Sequence, residues 1–556
     1  MLQKNLESIN NLTLQRRLSR ISQEESRIGI SYCITPTNDY VILKNDLPTD
    51  DLNNPREAAK QMISKNIHHE MTSNDKIILF GIGLGYLLDE VYQKFPSKIY
   101  IYEPDLMLLH FILSNADISE ILASGRVFIT NDMDELLNKL SSTFLTKDKV
   151  EILYIQNYAI THNKELLLLT QKVYDVCKSK IVDINTIAKF SKTWLVNTIN
   201  NISAVNNNSM YLLSELENKF TGQTALIAGA GPSLNENIAH IQANRDKFVI
   251  FAVNKVVKYL IQNGITPDFI VGLDARNMDK TLGGMEGHLS RSNCLMDIRT
   301  DSSILNKGFN KIFINFSETD FFIKKLAKSN TSMKFYEAGG SASTFALTAA
   351  AKMGFSQIVL AGVDLAFKDN QIYASGENMN RVSQNEIIVD SVKKNLVQVK
   401  SVSGGIVYTR DDYEAFIHHF EALIKELNHP NIYNISGFGA YIEGVKAVKF
   451  EELNLSVPAS TSQVSFIPTF KFDLKAFVEE EFCHINNIIT MISKGVFSPA
   501  LLSTIVKSAF IYQYMQSEIL EVLQKNYAPE LAEPFIEKTK HAIKVVVELL
   551  QKNKLV

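Results

Sequence analysis

Apolar residues along this chain follow two rhythms. Short unbroken apolar runs bounded by glycine, proline or asparagine recur between Lys76 and Asn434, and stretches with apolar residues every three or four positions separate them. The first pattern reads as strands buried on both faces, the second as helices packed along one side. Strands are predicted at Lys76–Phe80, Ile99–Tyr102, Val127–Ile129 and Val150–Tyr154, and again at Thr224–Ala228, Phe248–Asn254, Pro267–Asp274, the run from Gln357, and Asn431–Asn434. Helices are predicted at Tyr86–Lys94, Thr344–Met353 and Ala415–Leu427. Strand alternating with helix is the order of a parallel sheet covered on both faces.

Breaks in these rhythms divide the chain. Residues 1–161 hold a polar helical start, a small antiparallel piece and a Rossmann-like α/β unit. Residues 162–220 read as a helical connector, carrying the single tryptophan, Trp194, and an unusual number of asparagines, with Asn206-Asn207-Asn208 expected to mark a turn. A central α/β domain fills 221–450, a Ser/Thr/Pro-rich linker 451–470, and a helical bundle 471–556, with helices expected at Asp473–Ser493, Pro499–Leu523 and Pro529–Lys552. The fold class is α/β.

Composition narrows the class of function. Among 556 residues, 21% are charged and the formal net charge is -3, so the chain lacks the basic footprint of a nucleic-acid binder. The four cysteines, Cys33, Cys177, Cys294 and Cys483, have neither metal-ligand spacing nor the density of a disulfide scaffold. No apolar run is long enough to span a bilayer and the first residues lack a signal-like apolar core, so a cytoplasmic protein without a membrane span is expected.

Chemistry concentrates where the strand Thr224–Ala228 runs into Gly229-Ala230-Gly231-Pro232-Ser233-Leu234. Two glycines at a strand end, then a helix start, permit close backbone approach and aim amides at an anion, most simply a phosphate. A side chain at Gly231 is expected to fill the ligand's space. The strands ending in Asn254 and Asp274 place polar groups on the same carboxyl edge, where open parallel sheets bind ligands. Later come Gly339-Gly340-Ser341 before a helix, the strand ending in Gly362-Val363-Asp364, and Tyr373.

This order resembles the small bacterial sialyltransferases, and with its flanking regions the chain resembles the motility-associated factor (Maf) glycosyltransferases. The resemblance implies transfer of a nonulosonic acid of the pseudaminic or legionaminic type from its CMP donor to Ser or Thr of flagellin, serving flagellum assembly. It implies donor-phosphate binding by Gly229, Gly231, Pro232, Ser233, Leu234 and Asn254, with Tyr373 on the leaving phosphate. It implies carboxylate binding by Gly340-Ser341, and contact of Gly362 and Asp364 with the cytidine side. Neither a cofactor nor a metal is required by such a transfer.

Two departures stand out. Ala230 replaces an asparagine common between the glycines, and Val402-Ser403-Gly404-Gly405 occupies the region where the sialyltransferases carry their histidine base. Asp274 and Asp364, at strand ends, are therefore the candidate bases, while His418 and His419 read as packed or solvated residues of a helix and His288 is a remoter candidate. A related turn occurs in pterin pyrophosphokinases, which leaves an ATP-dependent diphosphate transferase as an alternative; a flagellin-binding chaperone without catalysis is another.

The earlier unit carries a motif of its own. Gly81-Ile82-Gly83-Leu84-Gly85 followed by Glu103 at a strand end is the layout that holds an adenosine ribose in methyltransferase and dinucleotide folds. The alternative is a tight structural turn, and no turnover of S-adenosylmethionine is expected. Asp132-Met133-Asp134 is read as a helix N-cap rather than a metal site.

Overall fold

The computed structural model describes residues 1–207, 210–276, 278–317, 321–327, 333–367, 396–455 and 474–555. The chain divides into two compact units, Met1–Asn185 and Thr186–Val556, where composition suggested five segments. The boundary falls within a single helix, Asn163–Asn207, so the expected connector is shared between the units and is still helical at Asn206-Asn207.

The first unit opens with helices Leu2–Ser8, Leu12–Leu18 and Gln23–Ser26 and an antiparallel sheet of β1 (Ile30–Ile34), β2 (Tyr40–Lys44) and β3 (Leu47–Pro48). A parallel sheet follows, made of β4 (Lys76–Phe80), β5 (Lys98–Tyr102), β6 (Val127–Thr130) and β7 (Val150–Tyr154) in the order β6-β5-β4-β7. Every residue of the central strand β4 is buried, as its unbroken apolar run requires. The Asp132 carboxylate accepts the amides of Asp134 and Glu135 at the start of helix Met133–Thr143, the capping role expected of it.

The second unit is built on nine parallel strands. In chain order these are β8 (Tyr211–Leu212), β9 (Thr224–Ala228), β10 (Val249–Val253), β11 (Phe269–Gly272), β12 (Asn293–Asp297), β13 (Ile312–Asn315) and β14 (Gln357–Ala361), with a separate hairpin of β15 (Val397–Lys400) and β16 (Ile406–Thr409), then β17 (Ile432–Asn434) and β18 (Lys446–Ala447). The spatial order is β18-β17-β14-β9-β10-β11-β12-β13-β8. From β9 the chain winds one way through β13, then returns to place β14 on the opposite side of β9. That reversal makes the gap between β9 and β14 the topological switch point, the crevice where open α/β sheets bind ligands.

Alternation along the buried strands feeds two cores. Leu226 and Ala228 of β9 join one, with Ile250 and Ala252 of β10 and the C-terminal helices through Phe477, Ile488, Phe510 and Val546. Ala225 and Ile227 face the other, with Phe345 of helix Ala342–Lys352 and Phe420 of helix Asp411–Leu427. The C-terminal helices are thus one of the layers covering the sheet.

The helix expected over Pro499–Leu523 is two helices, Pro499–Ile505 and Ala509–Gln524. Ser508 accepts the Ile511 amide and so caps the second. Glu481, fully buried on helix Lys475–Ser493, accepts from Ser508 Oγ at 2.8 Å, the Ala509 amide at 3.0 Å and the Phe510 amide at 3.3 Å, and pairs with Lys325 at 2.6 Å. A carboxylate at a helix start satisfies amides with no intrahelical partner. Glu481→Ala leaves those buried donors unpaired and Lys325 with only Glu480 at 3.7 Å and the Lys507 carbonyl, so it is expected to cost on the order of 3 kcal/mol in urea unfolding; a change under about 0.5 kcal/mol, the scale of an ordinary surface substitution, would contradict this.

Candidate functional site

At the switch point the turns leaving β9 and β14 are laced together. The Gly229 amide donates to the Ala361 carbonyl at 2.8 Å, and the Gly231 amide to the Gly362 carbonyl at 2.7 Å. A Cβ on Gly229 would sit 2.3 Å from the Gly362 oxygen, and one on Gly362, where φ is +67°, 2.7 Å from the Gly229 oxygen. Such separations are well inside van der Waals contact, so both positions must lack a side chain for the turns to approach.

Asp364 fills the space beneath Gly231, where a Cβ would lie 2.6 Å from its carboxylate. The carboxylate is 2% exposed and accepts the Ser233 amide at 2.8 Å and the Ser233 hydroxyl. Ser233 Oγ in turn lies 2.7 Å from Ser436 Oγ, whose own amide donates to Asn434 at 2.9 Å. Burial pushes the Asp364 carboxyl up to about 6, against the pull of the Ser233 and Ser436 bonds. Of the two candidate bases, Asp364 is thus an enclosed tether. The sequence reading missed Ser436 and Asn434 in this network, since nothing in the chain signals that β17 ends beside β14.

The turn's amides are largely committed within the protein. Those of Gly229, Gly231, Ser233, Leu234, Asn235 and Glu236 all have protein acceptors, and Pro232 has no N–H. The Ala230 amide has none among the described residues. The phosphate cradle expected at Gly229–Leu234 is therefore narrower than the motif suggests, and the space at Gly231 belongs to Asp364.

One and two strands away, Asn254 and Asp274 form a different arrangement. Asn254 is 4% exposed and donates to Asp274 at 2.8 Å, while Asp274 stands exposed past the end of β11. Of the two candidate carboxylates, Asp274 is the one presented to solvent.

Ser341 caps helix Ala342–Lys352: its hydroxyl accepts the Thr344 amide at 3.1 Å, while its own amide donates to Thr344 Oγ1 at 3.0 Å. Gly340 is exposed at φ +79°, and a Cβ there would lie 3.2 Å from His419 Nδ1. That nitrogen is buried without a partner among the described residues, so His419 packs on the Gly-Ser turn, whereas His418 is exposed beside Glu421. The Val402–Gly405 segment, where the sialyltransferase histidine was sought, is the tight turn of the β15-β16 hairpin, with Gly404 and Gly405 at φ +89° and +79°. Tyr373 lies outside the described residues.

Asparagines of helix Asn163–Asn207 hold it to the same sheet edge. Asn197 Nδ2 donates to the carbonyls of Ala275 and Arg299, and Asn201 Nδ2 to those of Ile298 and Thr300. The high polar content read from the sequence thus serves loops that follow β11 and β12.

In the first unit the Gly81–Gly85 turn is filled by the chain itself. A Cβ on Gly81 would meet the Tyr158 ring at 2.6 Å, and one on Gly83 the Asp50 carboxylate at 2.5 Å. Glu103, fully buried, accepts the Ile82 amide at 3.1 Å, the Asp105 amide at 3.0 Å and the Tyr158 hydroxyl. Those bonds occupy the carboxylate that a ribose would need, in keeping with the structural-turn alternative. Among the described residues no group of three or more metal-ligating side chains occurs, and no helix is long and apolar enough to cross a membrane.

Residues 196–370 match the family model described as MptE-like, 6-hydroxymethylpterin diphosphokinase. An uncharacterized protein of Treponema pallidum (strain Nichols) is 28% identical over 114 residues, 20% of this chain and 51% of that protein, so the chain spans about half the length of this curated relative. The solved structure of the Maf glycosyltransferase from Magnetospirillum magneticum AMB-1 aligns with a TM-score of 0.66 at 15% identity, covering 100% of this chain and 96% of that one. Over that aligned length the two share a fold.

Burial pushes Glu103 up to about 7 and Asp50 up to about 6, in each case opposed by hydrogen bonds, those of Glu103 from Tyr158, Asp105 and Ile82, those of Asp50 from Thr49 and Leu84. Both folded values lie above the unfolded ones, so this contribution to stability is present below about pH 4 and is lost as pH rises to 7. Hydrogen exchange at the Ile82 and Leu84 amides, corrected for intrinsic rate, is expected to show less protection at pH 8 than at pH 5.5, and Glu103→Gln should shrink the difference; protection independent of pH would contradict it. Ser341→Ala is expected to cost about 1 kcal/mol as a lost N-cap, read as a lower melting temperature.

Proposed function

We propose that this protein is a glycosyltransferase that moves a nonulosonic acid from its CMP donor to Ser or Thr hydroxyls of flagellin in the cytoplasm, in the service of flagellum assembly. The observation that carries this reading is the match of fold, over all of this chain and 96% of the other, with a protein named a Maf glycosyltransferase. The donor, the flagellin acceptor and the motility role come from the motif resemblance of Gly229–Leu234, Asn254, Gly362–Asp364 and Tyr373.

In this reading the donor lies along the carboxyl edge from the β9-β14 switch point toward β11. Ala230's amide and the Asn254 side chain border its phosphate, with Gly340 beyond. Asp274, exposed and oriented by the Asn254 amide, takes the proton from the acceptor hydroxyl as the bond to the anomeric carbon forms and CMP departs. Asp364 acts from beneath, keeping the turn in the shape the donor meets.

The match of residues 196–370 to the diphosphokinase model favours one second reading, transfer of a diphosphate from ATP to a hydroxymethylpterin with release of AMP. Incubation with flagellin and CMP-pseudaminic or CMP-legionaminic acid separates the two. The intact mass of flagellin is expected to rise by whole nonulosonic acid residues with the parental protein, and to fall short by at least about tenfold in rate with Asp274→Asn, whose affinity for CMP should hold. Unmodified flagellin together with AMP release from ATP and hydroxymethylpterin would favour the second reading; flagellin retained but unmodified, with neither reaction, would leave the chaperone.

A further inference from the structure

Three cations crowd two aromatic rings beside the carboxyl ends of β11 and β12. Phe190 and Trp194, one helical turn apart on helix Asn163–Asn207, stack at 5.9 Å with 22° between their planes. The Arg276 guanidinium lies 5.2 Å from the Phe190 ring, Lys189 Nζ 5.3 Å from the same ring, and the Arg299 guanidinium 5.2 Å from the Trp194 ring. Arg276 stands two residues past Asp274, and Arg299 two past Asp297.

Only part of this charge is neutralised. Asp297, fully buried, holds Arg299 at 2.7 Å. Arg276 is exposed; its Nε and Nη2 donate to Thr193 Oγ1, and Nη2 also to the Lys189 carbonyl. Neither Arg276 nor Lys189 has a carboxylate partner among the described residues. The Thr193 and Lys189 bonds and the ring beneath it fix the Arg276 plane, which removes much of the entropy cost of meeting an anion. Packing alone would not call for two unpaired cations on one ring. The patch also lies on the edge that carries Asp274, and β11 is two strands from β9, about 10 Å at the usual spacing.

We propose that Arg276 and Lys189, mounted on the Phe190–Trp194 pair, bind the carboxylate of an acidic monosaccharide, the group transferred in the reaction above; the inference rests on that reading. Arg276 Nη1, the guanidinium nitrogen not engaged by Thr193 or the Lys189 carbonyl, and Lys189 Nζ are the charged donors left for a carboxylate, and the aromatic pair borders them with apolar surface. Ser341, the position to which the motif resemblance assigns this role, has its hydroxyl accepting the Thr344 amide as a cap.

Trp194 is the single tryptophan, so its fluorescence reports on this patch directly. The intact chain is titrated with N-acetylneuraminate, with its methyl ester, with N-acetylmannosamine and with inorganic phosphate. A saturable change is expected with N-acetylneuraminate alone, and Arg276→Gln and Lys189→Gln, both exposed substitutions, should each raise its Kd about tenfold, the scale of one charged hydrogen bond. The affinity of each variant for CMP should equal that of the parental protein. No saturable change, an equal response to the methyl ester, or a Kd unmoved by either substitution would overturn the proposal, as would an equal response to phosphate with the same Arg276 dependence. Failure here with flagellin still modified removes only the subsite; failure of flagellin modification with neuraminate binding intact removes only the transferase reading.

Discussion

The second unit depends on how closely two turns can approach. β9 and β14 pair as neighbours in the sheet, but the chain leaves both at the same edge, so the residues that follow must pass each other within hydrogen-bond distance. Gly229 and Gly362 make that passage sterically open, and the Gly231 amide closes it on the Gly362 carbonyl. Asp364 then locks it by taking the Ser233 amide and hydroxyl. Winding reverses at this point, so the crossing also sets where β10 and β11 deliver Asn254 and Asp274. A one-carbon addition at Gly229 would act on the whole edge through that geometry.

Much of this was legible in the sequence. The strand Thr224–Ala228 and the unit from Lys76 to Tyr154 stand where apolar runs bounded by glycine placed them, because a strand buried on both faces has no other pattern open to it. The Asp132 cap was legible for a like reason: it is a local bond between residues two and three positions apart. The purpose of the glycines was not. An absent Cβ makes room equally for a ligand or for another segment, and only the partner in space decides between them. For Gly231 that partner is Asp364, 133 positions further along. Ser436 was missed for the same reason, acquiring its meaning from a segment distant in sequence, whereas His419, read as a packed or solvated helix residue, packs against Gly340.

Helix Asn163–Asn207 shows the limit from the other side. Its asparagines broke the apolar rhythm and suggested a connector, yet Asn197 and Asn201, one turn apart, each bind two carbonyls of the loops beyond β11 and β12. An amide side chain offers two donors, which suits loop carbonyls that lack strand partners at a sheet edge. Polar residues at helical spacing are then part of the packing. Once the helix is held there, Phe190 and Trp194 stand beside Arg276 and Arg299, and the loops that could carry chemistry are braced by a rigid element.

Both units also solve the same problem in the same way. A glycine-rich turn exposes amides that need acceptors, and in each unit a buried carboxylate supplies them, Glu103 and Asp50 in the first, Asp364 in the second. Burial raises all three, to about 7, 6 and 6. An internal carboxylate and a bound phosphate compete for the same donors, so a turn already satisfied from within has little left to offer an anion. By that measure the first unit's turn is closed at Ile82 and Leu84, with Glu103 occupied on both oxygens, and only the Gly83 amide lacks an acceptor among the described residues. The second is closed beneath Gly231 and open at Ala230. What ligand chemistry the edge retains must therefore come from side chains set on the neighbouring strands, and there the exposed Asp274 and Arg276 follow one another past the end of β11.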